Sequence, residues 1–375
     1  MKDVPFFRIL WDENDVTNIT SALTLGRNWG VGKNIEQFEQ LIAQYMGTQY
    51  AVVFNSGTSA LHAILKAHNI GKDDEVIVPS FTFISTANAP LFTGAKPVFA
   101  DIEEETYGLD PTKLETYITP QTKAILPVHY GGCPCQIDKI AEIAKKHNLI
   151  LIEDTAEAMG ATIDNKKVGT FGDSAILSFC QNKVITTGEG GAVITDSQEV
   201  YEKLLLIRSH GRLEIEGEYF DPGAIFDYIN LGYNFRMSNL TAALGISQIE
   251  KITQIIHKRR IKAEYMTQSL LEKTSHVKPL KIPDNYKSVY QLYSCIAEDR
   301  DGLLDYLAEK NIGSKVYFHP VHQTNFYKEK LGYNTSLPVT EKVAEEIITL
   351  PMFPTITDEE IDYITDTIRE YYKGE

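Results

Sequence analysis

The run LILIE at residues 149–153 constrains the fold more than any other feature of the chain. Successive side chains of a strand point to opposite faces, so a strand apolar at nearly every position needs cover on both sides. The segments around it have a different period. Residues 137–147 (IDKIAEIAKKH) space their apolar positions as an amphipathic helix, with Asp138 near the N-terminus, where a carboxylate suits the helix dipole. Residues 59–68 and 85–93 also read as helices, the second closed by Gly94. Strands are predicted at 51–54, 75–79, 97–100, 123–129, 174–179 and 192–195. Doubly apolar strands alternating with helices predict an α/β fold, with a mostly parallel central sheet and helices on both faces. Such sheets bind ligands at the carboxyl ends of their strands.

A long helical pattern from 238 to about 271 is expected to carry the chain out of this sheet. Beyond it, a strand at 289–297, a helix at 302–310 and a closing helix from 358 predict a smaller C-terminal α/β domain. The expected division is a large domain over residues 1–250, including the N-terminal segment, and a small one over 251–375. No internal repeat or low-complexity linker separates them, so the two should pack closely.

Composition removes several function classes. Lys plus Arg number 36 against 51 Asp plus Glu, a formal net charge of −15 over 375 residues. Phosphate backbones and anionic membranes select basic surfaces, so no nucleic-acid or membrane partner is expected. No apolar run approaches the roughly 20 residues of a membrane span. The opening MKDVPFFRILWDEND carries charges inside its apolar portion and does not read as a secretory leader. Cysteines number four, and Cys133 and Cys135 lack a second nearby pair to complete a zinc site, so no metal is expected. Reduced thiols in a cytoplasmic protein are the reading that follows.

Three clusters carry candidate chemistry. Asn55-Ser56-Gly57-Thr58-Ser59 follows a strand and opens a helix. Free N–H groups and hydroxyls at a helix N-terminus suit a phosphate, although a plain Ser/Thr cap uses the same residues. Glu153-Asp154-Thr155-Ala156-Glu157 ends the LILI strand, where the acids either point into a site or cap the next turn. Lys183 stands between the apolar strand predicted at 174–179 and the glycine-rich TTGEGG turn. Partial desolvation there would favour a neutral amine able to form a Schiff base, whereas a surface lysine would simply snorkel. Together, a phosphate cradle, a carboxylate and a lysine at the strand ends of one sheet are what pyridoxal 5′-phosphate needs.

Six segments in order bear this out as a pattern: NSGTSAL (55–61), VPSFTFISTANA (78–89), EDTAEAMGA (153–161), SFCQNKVITTGEGGAV (178–193), RSHGR (208–212) and LGYNFRMSNLTAALG (231–245). Across essentially its whole length the chain resembles the DegT/DnrJ/EryC1/StrS family of nucleotide-sugar aminotransferases, which have the fold type I (aspartate aminotransferase-like) architecture. It is closest in pattern to the perosamine synthase-like 4-aminotransferases. The resemblance implies that Lys183 is the Schiff-base and catalytic lysine, that Asp154 partners the pyridine nitrogen, and that Phe83 stacks on the ring. It implies phosphate contacts from Thr58, Ser59 and Ser178. It also implies that Asn234 reaches the cofactor phosphate of a second subunit, which makes a homodimer with shared sites. L-Glutamate and a nucleotide-linked keto-sugar are the implied substrates, with pyridoxamine 5′-phosphate as the alternate form of the cofactor.

Glu157 departs from the Gln or His that many relatives carry beside the phenolic oxygen. An ionised Glu there would be repelled by a phenolate, so it must be protonated, hold a water or turn to the substrate. Glutamate at this place resembles the enzymes that aminate C4 of a nucleotide-linked 4-keto-6-deoxyhexose. Amination at C3, or of a cyclitol ketone, uses the same scaffold. A cofactor-binding sensor without catalysis is a further alternative, although no added DNA-binding segment is visible. The stretch Tyr317-Phe318-His319-Pro320-Val321-His322 matches a part of the family that lines the sugar-nucleotide cleft, with His319 as the candidate contact.

Overall fold

The computed structural model describes residues 3–213 and 225–373. Its centre is a seven-stranded sheet in the order β1-β9-β8-β5-β4-β2-β3. These strands are β1 (Tyr50–Phe54), β2 (Glu75–Pro79), β3 (Lys96–Ala100), β4 (Thr122–Ile125), β5 (Ile150–Asp154), β8 (Ser174–Ser178) and β9 (Gly191–Thr195). All run parallel except β9, which pairs antiparallel with both β1 and β8.

The doubly apolar strands do what their sequence requires. Val53, Ile77, Ile125, Leu151 and Leu177 face one layer, and Val52, Val76, Ala124, Ile152 and Ile176 face the other. The first layer is built from α2 (Lys33–Met46), α5 (Ile137–Lys146), α7 (Asn239–Glu250) and the start of α8 (Ile252–Lys273). The second is built from α3 (Gly57–Ala67), α4 (Ile84–Thr93) and α6 (Gln198–Arg208). α5 turns Ile137, Ile140 and Ala144 inward and ends on Lys145 and Lys146, which complement its dipole. α2 buries Phe38, Ile42 and Met46 at four-residue spacing and stops at Gly47, whose φ of 84° is left-handed.

The C-terminal part holds an antiparallel sheet, β10 (Val277–Pro279), β12 (Tyr293–Ala297) and β13 (Ile347–Leu350). It packs with the later turns of α8, α9 (Arg300–Glu309) and α11 (Asp358–Lys373); α10 (Pro338–Glu346) leads into β13. Short strands β6 (Thr162–Ile163), β7 (Lys166–Lys167) and β11 (Tyr286–Lys287) join the two parts. α8 belongs to both cores: Ile252, Ile255 and Ile256 pack under the large sheet, and Ala263, Met266 and Leu270 under the small one. The N-terminus crosses between them too, because Val4 bridges Ile312 and is buried in the small core.

Several elements differ from the sequence expectation. The helical pattern from 238 is two helices, broken at Lys251. Lys251 Nζ reaches Asp15 (2.6 Å) and Asp12 (2.8 Å) at the start of α1 (Glu13–Thr24), a partnership across more than 230 residues that no local pattern reveals. The strand expected at 289–297 begins only at Tyr293. Val289 and Leu292 donate their N–H groups to Gly132 and Gly131 instead of to a ladder. The strand expected at 123–129 leaves the ladder after Ile125, with Val128 rejoining as a single bridge to Asp154. Among the described residues, no helix is long and apolar enough to cross a membrane, and no cluster of His, Cys, Asp and Glu could hold a metal ion.

Candidate active site

The carboxyl ends of β1, β5 and β8 open into a cleft of about 690 Å³. Thr58, Phe83, Asp154, Glu157, Ser178 and Lys183 all line it. Their sequence separations span 125 positions, and the parallel sheet brings them to one edge.

Two helix N-termini form one wall. Ser56 caps α3, its Oγ accepting the Ser59 N–H at 3.1 Å. The Ser59 hydroxyl lies 3.0 Å from that same Oγ, so Ser59 serves the cap and does not line the cleft. Gly57 lies against Ser178, whose Oγ would stand 3.2 Å from any added Cβ. A side chain here would fill the space between the helix end and the strand end. Thr58 Oγ1 meets Ser85 Oγ at 2.9 Å, across the starts of α3 and α4. Hydroxyls and helix N–H groups therefore face the same corner, where a phosphate dianion is favoured.

Asp154 closes β5 and is 4% exposed. Its Oδ2 accepts from Thr86 Oγ1 (2.8 Å) and its Oδ1 from the Ala156 N–H (3.1 Å). Thr86 Oγ1 is in turn 2.9 Å from Thr82 Oγ1. Burial pushes the Asp154 carboxyl above its ordinary value, against these bonds and the nearby Lys183 charge. A buried carboxyl in that state gains from a cationic N–H partner, which a protonated pyridine ring supplies.

Lys183 is carried by a compact turn, its N–H donating to Cys180 O at 2.9 Å and the Asn182 carbonyl accepting from Gln291. Nζ meets Glu157 Oε1 at 3.1 Å. Glu157 is itself fixed, because Oε2 accepts the Gly131 N–H at 2.9 Å. Gly132, at φ 92°, completes that turn; a Cβ there would meet Val289 at 2.7 Å and the Glu157 carbonyl at 3.1 Å. Glu157 thus pairs with the lysine, an arrangement not among the three expected from sequence.

Phe83 stands at the start of α4 with its side chain 58% exposed, 6.3 Å from the Phe318 ring. An apolar ring presented to a cleft is suited to a planar partner. The cradle, the buried carboxyl, the lysine and this ring fit pyridoxal phosphate.

Besides Ser59, two further expected residues lie outside the cleft. Asn234 is exposed outside the cleft, its segment held to the end of β1 by the Asn55 N–H to Phe235 O bond (2.8 Å). His319 is exposed and does not line the cleft, although Tyr317 and Phe318 beside it do. His322 is buried as a structural group, between Ser80 Oγ (2.6 Å) and Glu341 Oε1 (3.2 Å). The sequence reading missed Phe6 and Phe7, which line the cleft from the N-terminal segment, with Phe6 stacked on Tyr317 at 5.7 Å. It also missed Thr82, Ser85 and Thr86, whose signal was the hydroxyl-rich run SFTFIST.

A model of the DegT/DnrJ/EryC1/StrS aminotransferase family matches residues 11–369. GDP-perosamine synthase of Escherichia coli O157:H7 is 38% identical over 344 residues, covering 91% of each chain. Among solved structures, PseC of Helicobacter pylori, an aminotransferase involved in the biosynthesis of pseudoaminic acid, superimposes with a TM-score of 0.92 at 29% identity, covering 100% of both chains. The PLP form of the putative sugar aminotransferase Spr1654 from Streptococcus pneumoniae gives 0.91 at 27% identity, over 100% of this chain and 99% of that one. The chain therefore belongs to the DegT/DnrJ/EryC1/StrS aminotransferase family, as a sugar aminotransferase of fold type I that depends on pyridoxal phosphate.

Proposed function

We propose that this enzyme moves the amino group of L-glutamate to C4 of a nucleotide-linked 4-keto-6-deoxyhexose, releasing 2-oxoglutarate and the 4-amino sugar nucleotide. The observation that carries the reading is the Glu157–Lys183 contact at 3.1 Å inside the cleft. A Glu at this position goes with C4 amination in the enzymes this chain resembles, and the similarity to GDP-perosamine synthase supports the same choice.

Pyridoxal phosphate, when bound, supplies an aldehyde that carries the amino group and a ring that accepts electrons from the α-carbon. The chain's residues do the rest. The α3 start and the hydroxyls of Thr58 and Ser178 hold the phosphate, Phe83 covers the ring, and Asp154 keeps the ring nitrogen protonated. Lys183 Nζ takes the α-proton of glutamate in the first half-reaction and delivers a proton to the sugar carbon in the second. Glu157, anchored on Gly131, aims that amine and balances its charge. Phe6, Phe7, Tyr317 and Phe318 wall the cleft and exclude water from the transfer.

The working unit in this reading is a homodimer in which Asn234 reaches the partner's cofactor phosphate. Exposed Leu213, Ile225, Tyr228, Ile229 and Leu231 lie close to Asn234 in the chain, apolar surface of the kind a subunit interface covers.

The test is a panel of 4-keto and 3-keto sugar nucleotides supplied with L-glutamate, with the aminated carbon located by NMR. The expected product carries nitrogen at C4, with one 2-oxoglutarate formed per amine. Amination at C3, or no turnover on any keto-sugar, overturns the proposal.

A further inference from the structure

The cleft is lined by three carboxylates, Asp154, Glu157 and Glu189, and by two cations, Lys183 and Lys315. That balance is unfavourable for the substrate of the proposed reaction. A nucleotide-linked sugar carries a diphosphate, and the chain it approaches has a net charge of −15. An anion entering such a site needs a cation to meet it. Lys183 is already committed, because its Nζ pairs with Glu157 at 3.1 Å and is the amine of the chemistry. Among the described lining residues, Lys315 is the cation that remains.

Lys315 comes from the C-terminal part and stands on a fixed base. Its N–H donates to Thr349 O at 3.1 Å, and its carbonyl accepts the Thr349 N–H at 2.8 Å, so its backbone is tied on both sides to β13. Its Nζ lies 5.0 Å from the centroid of the Tyr317 ring, which also lines the cleft. A ring face attracts the ammonium without neutralising it. Lys315 forms no ion pair among the described residues. Burial first, and then the Glu157 charge, raise the Tyr317 phenol above its ordinary value, so this ring is within electrostatic reach of the Glu157–Lys183 pair. Tyr317 therefore links the reacting amine to Lys315.

Depth separates the two cations. The Lys183 side chain is 14% exposed, whereas Lys315 is an exposed residue at the mouth. A hexose that offers its C4 carbonyl to Lys183 turns C1 outward, because C1 and C4 stand at opposite ends of the ring. The diphosphate hangs from C1 and so arrives at the mouth. Glutamate is far smaller and reacts wholly within the cleft.

We propose that Lys315 grips the diphosphate of the sugar nucleotide at the mouth of the cleft, and so sets affinity for the acceptor and not for the amino donor. The inference rests on the nucleotide-sugar reading above.

The experiment is calorimetric titration of the holoenzyme with GDP, UDP and dTDP, for the wild type, Lys315→Met and Lys315→Arg, together with the kinetics of each half-reaction. At least one nucleoside diphosphate should bind the wild type. Its affinity should fall about tenfold in Lys315→Met, the low end for a contact to a charged group, because the mouth is wet. Lys315→Arg, which keeps the charge, should recover most of that loss. The KM for the sugar nucleotide should rise by a similar factor, and the loss of kcat/KM for glutamate should be much smaller. The melting temperature should stay at the wild-type value, because the hydrogen bonds of Lys315 are made by its backbone. Equal nucleoside diphosphate affinity in wild type and Lys315→Met, or an equal loss for glutamate and nucleotide, overturns the proposal. The keto-sugar panel judges the substrate reading separately: nucleoside diphosphate binding that depends on Lys315 supports the inference even if C4 is not the aminated carbon. A wild type that binds none of the three overturns both.

Discussion

Replacing Glu153 with Gln should destabilise the enzyme sharply, although Glu153 does not line the cleft. The residue is fully buried, and its carboxylate accepts four hydrogen bonds. Oε1 takes the N–H groups of Phe171 (2.7 Å) and Gly172 (2.8 Å). Oε2 takes the Gly169 N–H (2.7 Å) and His129 Nε2 (3.0 Å). His129 must be the Nε2–H tautomer, because its Nδ1 accepts the Cys135 N–H at 3.1 Å. All four partners are therefore donors. A glutamine carries one oxygen and one NH2, so whichever way it turns, its NH2 faces two donors. Two hydrogen bonds to a charged acceptor are lost, at about 1.5–3 kcal/mol each. With partial relaxation, a loss of about 4 kcal/mol is expected. For a chain of this length the unfolding entropy is about 0.8 kcal/mol per degree, which converts that loss to a fall of about 5 °C in melting temperature. Differential scanning calorimetry of the two holoenzymes measures it, with Glu199→Gln on the exposed face of α6 as a control that should leave the melting temperature unchanged. A fall under 1 °C for Glu153→Gln would refute the reasoning that the four donors depend on the carboxylate.

Other consequences can be checked separately. Thr86→Val removes the 2.8 Å bond to Asp154 and should weaken cofactor binding about tenfold in a spectrophotometric titration, the low end for a hydrogen bond to a charged group; unchanged affinity would remove Thr86 from the site. Burial holds His62, His68 and His322 below the ordinary 6.5, so the unfolded chain takes up protons first as the pH falls. Stability should therefore be full above 6.5 and decline progressively below it, and His68→Gln, which can keep the bond to Ser174, should flatten part of that slope in urea unfolding. Mixing inactive Lys183→Ala with Asn234→Ala subunits should restore partial activity through hybrid dimers that own one intact site; the absence of any recovery would argue against shared sites.

Much of the fold was legible because burial writes itself into periodicity. The doubly apolar run at 149–153 required cover on both faces, and the helices that provide it were visible at 59–68 and 137–147. What local pattern does not hold is partnership at a distance. Nothing around Lys251 announces a break in the helical pattern; Asp12 and Asp15 decide it. Strand β9 is as apolar as its neighbours, so its reversed direction left no trace in composition. In the site, Lys183 and Asp154 were legible only as a set with the Ser/Thr-rich helix start, because alone the one also reads as a snorkelling surface lysine and the other as a helix-capping acid. Phe6 and Phe7 were not legible, because apolar residues near a chain terminus carry no mark of the cleft they reach by crossing between the two cores. Glu157 was flagged by its charge, but its anchor, the Gly131 N–H, is a backbone group invisible to any reading by residue type.

The most direct measurement on the central claim is where the cofactor attaches. The holoenzyme would be reduced with borohydride, digested and mapped by mass spectrometry. The account requires one pyridoxyl-phosphate adduct, on the peptide that carries Lys183, lost when excess L-glutamate is added before reduction. An adduct on another lysine, or one that glutamate does not displace, would contradict it.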